Sequence, residues 1–411
     1  ISNNGFDNVI IGRQAGYDAT DTDKLVLIGN MAGADINATG ADGTVAIGWE
    51  ALRALTSPAG NTAIGYQAGH ELVTGHSNTI VGYQAGMNLD AGESNNTIIG
   101  LGAMQEINND SQSNCIAIGV NALKGNVASD GDASGAPVYS IAIGNNAMAH
   151  TNSRGSNFNI ALGNAAMDST FGGTITDCIA IGRDSMHHAS NQLNGVTGAI
   201  GLGYATLQAL TTGDYNIAIG YNAGNTMTTT VDTVLIGGLA GDAINSADAD
   251  GTVAIGKAAL GALTDGQYNT AIGYGALNVN KRNDHNTAVG YRALTAYSGS
   301  AAGTGGNTAV GSWCGDSVST GTHNTLMGFY AGQALTTAGG SEYIGSQAGY
   351  NTTTGTYNTV IGNEALYTNV VGSYNVAIGQ KAGQYATGSQ NTYIGFYSGQ
   401  GASNSAPFSS A

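Results

Sequence analysis

The chain predicts an all-β fold, a parallel β-solenoid or β-roll of about 22 coils, and three observations carry the prediction. A glycine-centred phrase, typified by Asn61-Thr-Ala-Ile-Gly-Tyr-Gln-Ala-Gly69, returns along the whole chain, most often at a 17-residue step. The residues ahead of the central glycine alternate with the two-residue period of a strand. Glycine is abundant, 66 of 411 residues, while proline numbers only three, which excludes collagen and proline-rich disorder. A short fixed period means that each unit buries its apolar surface only against its neighbours.

The strand comes first in each unit. The residue just before the central glycine is aliphatic, as at Ile64, Val81 and Ile272, and two residues earlier stands a β-branched residue, with Glu342 the exception. A small residue, most often Ala, lies between them. This reads as a short strand with one buried face, and it places Ile64, Val81 and Ile272 inward. The Ala row at 46, 63, 254, 271 and 288 then becomes a flat outer face suited to close contact with another chain.

The central glycine (Gly65, Gly273) permits a corner that a Cβ would obstruct. Three residues on, the side chain is always small (Ala68, Ala276), and the next is Gly, Leu or Met, which suits a crowded slot beside a variable filler. A second turn rich in Thr and Gly follows, as at Thr74-Gly75 and Thr354-Gly355, so each coil is expected to hold two strands and two corners. Asn often opens the unit (Asn61, Asn78, Asn269, Asn286), a residue that serves both amide ladders and turns.

The repeat runs end to end, so residues 1–411 read as one continuous, elongated solenoid, beginning inside a repeat as a mature or trimmed fragment would. Residues of about 12–90 match 220–298 at a constant offset of 208, the mark of an internal duplication, and the region of about 119–203 is less regular. Charged residues make up 9% and the net charge is −16. That acidity argues against nucleic acid, which demands clustered Lys and Arg, and against an anionic membrane surface. No apolar run reaches the roughly 20 residues of a membrane span. Cys115 and Cys178 take the Asn slot and Cys314 the small slot, all as packing residues. Three units separate Cys115 from Cys178, too far for a disulfide.

The strand-plus-glycine phrase resembles the head repeats of trimeric autotransporter adhesins (compare Val45–Ala51 and Val253–Ala259), whose unit is shorter than the 17-residue step here. It looks equally like the repetitive shafts of phage and other viral tail fibres. The likeness covers the whole chain at the level of the repeat. It implies a homotrimer of left-handed parallel β-rolls and an extracellular place, on a virion or as a cell-surface appendage.

Chemistry is sparse. Nucleophile, base and orienting residue recur in no arrangement, no Lys follows the glycines at phosphate-loop spacing, and no cofactor or metal is implied. Acids cluster at Asp18/Asp21/Asp23, Asp130/Asp132 and Asp248/Asp250 without a calcium-loop spacing, and read as solvated loop residues. Aromatics after the central glycine (Trp49, Tyr66, Tyr83, Tyr274, Tyr291, Phe329) read first as a structural ladder and second as a sugar-stacking one. Binding is expected in the loops that break the period, 124–138, 187–197 and 296–306, which hold or adjoin Tyr139, His187, Asn191, Gln192, Asn194 and Tyr297. The expected function is a non-enzymatic structural and adhesive fibre that presents these loops to a host surface, receptor or glycan. The alternatives are a bacterial adhesin head or self-stacking extracellular filament and, third, a β-solenoid polysaccharide-degrading enzyme.

Overall fold

The structure, a computed structural model, describes residues 5–401 except 21, 38–41, 58–59, 91, 107–112, 126–137, 151–156, 169–173, 189–192 and 300–304. Its contacts fall into two compact units, Ile1–Gly213 and Asp214–Ala411. Among the described residues the first holds eleven three-residue strands, from Val9–Ile11 to Ile200–Leu202, and the second another eleven, from Ile217–Ile219 to Thr392–Ile394. Within each unit, strands pair in parallel with the equivalent residues aligned. Thr62, Ala63 and Ile64 lie against Thr79, Ile80 and Val81 in one unit, and Thr270, Ala271 and Ile272 against Thr287, Ala288 and Val289 in the other. Each unit is therefore a parallel β-solenoid of the expected period.

The strand faces are the reverse of the expectation. The middle residue points inward: Ala46, Ala63, Ala254, Ala271 and Ala288 are completely buried. The flanking residues point out, leaving Ile64 39% and Ile272 37% exposed, with Val81 half-buried. The Ala row is thus part of the core and cannot meet another chain. The physical reason is coil width. A 17-residue coil encloses so little volume that the strand contributes a methyl group, while bulk arrives from the opposite wall.

The opposite wall supplies that bulk from the residue four past the central glycine. Gly33 faces its own coil's Leu27 and Gly241 its own Leu235, whereas Leu52 and Leu294, in coils whose strand residue is Ala46 or Ala288, reach the corner glycines of the next coil, Gly69 and Gly315. Where strand and corner are both small, neighbouring coils fill the space: a Cβ on Gly69 would lie 2.8 Å from Leu52 and 3.0 Å from Ile80. Gly and Leu or Met alternate here because one volume is shared between two walls and successive coils. This position is also left-handed, with φ of 47° at Leu52 and 63° at Gly69. So is the residue two past the glycine (Gln67, φ 53°) and the one before the Asn slot (Tyr268, φ 53°).

The central glycine answers to two demands at once. Gly65 has φ 144°, a conformation open only to glycine, and a Cβ there would collide with the carbonyl of Gly82 in the next coil. Past it the chain makes two consecutive turns, closed in one coil by Ala68 N–H to Gly65 O (3.5 Å) and Leu72 N–H to Gly69 O (3.2 Å).

The second strand of each coil is not general. Among the described residues it forms only as Ile175–Thr176 paired with Val196–Thr197. Elsewhere the wall is built of turns, yet its peptides still join coil to coil: Leu52 N–H donates to Ala68 O at 3.0 Å and Ala54 N–H to His70 O at 3.1 Å. Alternating left-handed residues bend the chain without breaking this stack, so extended backbone is not required there.

Asn in the opening slot does form an amide ladder. In the second unit Asn286 Nδ2 donates to Asn269 Oδ1 (3.1 Å), Asn307 to Asn286 (3.3 Å) and Asn324 to Asn307 (3.1 Å). Each Asn carbonyl also accepts the next Asn's backbone N–H, at 3.0 Å from Asn324 to Asn307. The free amide hydrogen caps the second turn, as from Asn324 to Ala338 O at 2.9 Å. The ladder and turn roles are carried by the same side chain, and the buried amide of Asn324 is satisfied at both its oxygen and its nitrogen.

Candidate functional site

In each unit the strands present a regular outward sheet face. Its two columns, the first and third residues of every strand, are Val, Ile, Leu, Met or Thr, with Glu342 the sole charge among the described strands. Ile99, Ile143, Ile181, Met327 and Ile361 are each between 37% and 42% exposed. Glu342 is tolerated because it points to solvent, where it accepts a hydrogen bond from Thr359 Oγ1 at 2.9 Å. The third-residue column, aliphatic in every described strand and in register from coil to coil within each unit, is the kind of surface that soluble monomers avoid.

Aromatic side chains form rows along the coils. After the central glycine, Tyr66 stacks on Tyr83 (centroids 5.0 Å, interplanar 9°) and Tyr274 on Tyr291 (5.5 Å, 15°). A second row, before the Asn slot, stacks Tyr139 on Phe158 (5.2 Å, 3°) and Tyr357 on Tyr374 (5.3 Å, 18°). Rings stacked face to face cover one another and offer solvent their edges, so these rows act as structural ladders. A different cluster follows in the second unit. Trp313 meets Tyr291 edge-on (5.2 Å, 62°), Tyr330 meets Tyr350 edge-on (5.8 Å, 77°), and Arg292 lies 4.3 Å over the Trp313 ring.

Of the loop residues expected to bind, Asn191 and Gln192 lie outside the described residues, as do most of 124–138 and part of 296–306. His187 is half-buried, with Nδ1 3.7 Å from Asp184 Oδ1. Asn194 is exposed, and its N–H donates to Thr211 O at 2.7 Å. Tyr297 must be corrected: it is wholly buried, its phenol pushed up to about 12 by that burial, and it cannot meet a surface ligand. It fills the coil interior as Leu263 and Leu335 do at the same position. Tyr139 is 54% exposed but belongs to the stacked row. Among the described residues, His187, Asn194, Tyr139 and Tyr297 are not gathered into one site.

Of the clustered acids, Asp21, Asp130 and Asp132 lie outside the described residues, and Asp23 and Asp250 serve the stack. Asp23 Oδ1 accepts the N–H of Phe6 (2.6 Å) and Asp250 Oδ1 that of Val231 (2.9 Å), each joining neighbouring coils. Among the described residues no three His, Cys, Asp or Glu side chains stand together as metal ligands, and no helix is long and apolar enough to cross a membrane. Gln67 donates to Glu50 (3.0 Å), Gln84 to Gln67 (3.1 Å) and Gln105 to Gln84 (2.9 Å) in an unbroken polar ladder. The amide of Gln67 holds Glu50 below the usual carboxylate range. Glu93 is the outlier. It is wholly buried, neither carboxyl oxygen has a hydrogen-bond partner, and burial pushes it up to about 7, with the Asp90 carboxylate adding to the rise. Burial likewise pushes the Cys115 thiol up to about 11 and Cys314 to about 12, which leaves both unreactive at neutral pH.

Fold and surfaces together define a β-solenoid repeat protein with periodic outward faces. Set against models of known protein families and against curated protein sequences, the chain matches none.

Proposed function

We propose that this chain is a non-enzymatic structural and adhesive fibre protein, extracellular on a virion or cell surface, that works as a homotrimer. The outward aliphatic face carries the reading. A partner able to cover the third-residue column of Ile, Val, Leu and Met over successive rungs must present apolar groups at the same strand spacing, ~4.8 Å. A second copy of the chain does so by construction, and closed symmetry then limits growth. With a single charge among its described strand positions, the face offers no electrostatic opposition to self-contact despite the net charge of −16. The subunit seam is therefore assigned to the columns of Ile64 and Ile272 instead of the Ala row, and surface recognition falls to what the stack leaves outside that seam.

Sedimentation equilibrium of the full chain at micromolar concentration tests this reading. A trimer mass is expected, and Ile272→Lys with Ile64→Lys should shift it toward monomer while the circular dichroism of the β-fold persists. A wild-type monomer overturns the reading.

A further inference from the structure

We propose that Asn194 is a site of covalent self-modification, where the backbone nitrogen of Gly195 converts the side-chain amide to a carboxylate through a cyclic imide. The step is independent of the fibre reading and needs only water as co-reactant. Asn precedes Gly at residues 4 and 194 of the sequence, and Asn4 lies outside the described residues. Asparagine ahead of glycine is a labile pairing, because no side chain screens the nitrogen that follows the amide.

The structure sets Asn194 apart from the other amides. Asn194 and Gly195 are both exposed, between Leu193 and Val196, whose complete burial anchors the segment on either side. The Asn194 N–H is fixed on Thr211 O at 2.7 Å. Among the described residues, neither the Asn194 side-chain amide nor the Gly195 N–H has a hydrogen-bond partner. Gly195 has φ 76°, and nothing lies within 4 Å of where its Cβ would stand. The attacking nitrogen and the amide carbon are therefore both accessible.

Elsewhere the equivalent groups are held. The ladder amide of Asn324 is buried, with its oxygen and nitrogen both engaged. Acids ahead of glycine could close the same ring, but their carboxylates are occupied. Asp42 Oδ1 accepts the N–H of Asp23 (2.8 Å), Asp250 Oδ1 that of Val231 (2.9 Å) and Asp265 Oδ1 the Thr264 hydroxyl (2.8 Å).

The Gly195 nitrogen gives its proton to solvent and attacks Cγ of Asn194. A Cγ–N bond forms, the Cγ–Nδ2 bond breaks, and Nδ2 takes up a proton and leaves as ammonia. Water then opens the imide at either carbonyl carbon. Opening at Cγ gives aspartate; opening at the main-chain carbonyl gives isoaspartate, whose backbone runs through Cβ and Cγ. The balance is an amide and water in, a carboxylate and ammonium out. Either product places a negative charge just ahead of Val196–Thr197, the strand paired with Ile175–Thr176.

Ageing the full chain at mildly alkaline pH, folded and in urea, tests this by peptide mapping. The folded chain should acquire the amide-to-acid mass difference at Asn194 as readily as the unfolded one. Isoaspartate, read by isoaspartyl methyltransferase labelling, should be the larger product. The ladder residues Asn269, Asn286 and Asn324 should remain amides while the chain is folded. Asn194→Gln, an exposed change, should abolish the gain in that peptide, and Gly195→Ala should slow it severalfold. If Gly195→Ala does not fold, Asn194→Gln decides. Protection of Asn194 in the folded chain relative to urea, aspartate without isoaspartate, a gain that persists in Asn194→Gln, or an unchanged rate in Gly195→Ala overturns the proposal.

Discussion

Two stretches of solenoid solve the same stacking problem differently. In the second unit, from Asn269 to Asn391, the slot ahead of the strand is an amide in every coil but that of Ser341, and the ladder is nearly continuous. In the first unit, between residues 115 and 199, Cys115, Ser140, Cys178 and Ala199 take that slot and Asn159 stands alone. Yet the register is the same: Ile141, Ala142 and Ile143 lie squarely against Ile160, Ala161 and Leu162. Cys178 still receives the ladder through its backbone, N–H to Asn159 Oδ1 at 3.0 Å, while its thiol turns to Thr176 O at 3.3 Å.

What compensates is apolar. The middle stretch has Ile at the first strand position throughout (Ile116, Ile141, Ile160, Ile179, Ile200) and a large corner residue in every coil (Leu123, Met148, Met167, Met186, Leu207) over Ala or Gly. The lesson is that the glycine spine and the shared core volume set the coil, and the amide ladder reinforces it. Interrupting the ladder is tolerable when the polar groups it satisfied find a hydroxyl, thiol or backbone partner.

Breaking the spine should be severe in both stretches alike. In Gly328→Ala the new Cβ would lie 2.5 Å from Gly345 O, and in Gly163→Ala 2.6 Å from Gly182 O, each on a backbone with φ above 130°. Each should cost ~4 kcal/mol or more, seen as a large drop in thermal midpoint by circular dichroism. A mild effect in the middle stretch alone would mean that its coils rest on something other than the spine.

Glu93 comes next. Its carboxyl titrates near 4.5 in the unfolded chain and near 7 when folded, so between those values the folded state holds a proton that the unfolded state has released. Its contribution to stability therefore falls as pH rises through that window and stays low above it. Glu93→Gln should remove the dependence and exceed wild type by on the order of 3 kcal/mol at pH 8, with little difference at pH 4. Urea midpoints at the two pH values decide the matter, and equal midpoints at pH 8 would show the carboxylate to be solvated.

The smallest effects sharpen the comparison itself. Asn324→Ala removes a link in the continuous ladder and strands Ala338 O and the Ser341 N–H; about 2 kcal/mol is expected. Cys115→Asn restores an amide below Asn96, whose Oδ1 already accepts the Cys115 N–H at 2.9 Å, and should change stability by less than ~1 kcal/mol. If Cys115→Asn stabilises as strongly as Asn324→Ala destabilises, the apolar compensation in the middle stretch is incomplete.

Much of this was legible beforehand. Repeat, strand position, corner glycine, amide ladder and the burial of Cys115, Cys178 and Cys314 all follow from local rules, because every coil restates the same local requirements. The inward face was also written in the chain, though in a different column. The middle strand position never carries a polar residue, whereas the first takes Thr repeatedly and Glu at 342; β-branching marks a strand, but polarity marks its solvent side. Tyr297 looked like a loop residue because the period lengthens just beyond it.

By itself, then, the sequence determined the period, the parallel stack and which residues must be small, since those constraints act between a residue and its own copy one coil away. Only the tertiary structure decided which side of a three-residue strand faces in, whether the far wall is strand or turn, and where aromatic rings lie parallel or edge-on. Those depend on how walls divide a narrow core and how side chains of different columns meet, contacts between non-equivalent positions that a repeating pattern leaves open. The aromatic cluster of the second unit belongs to that second kind: Tyr291, Trp313 and Tyr350 occupy different positions in their units, and only the coil brings their rings together.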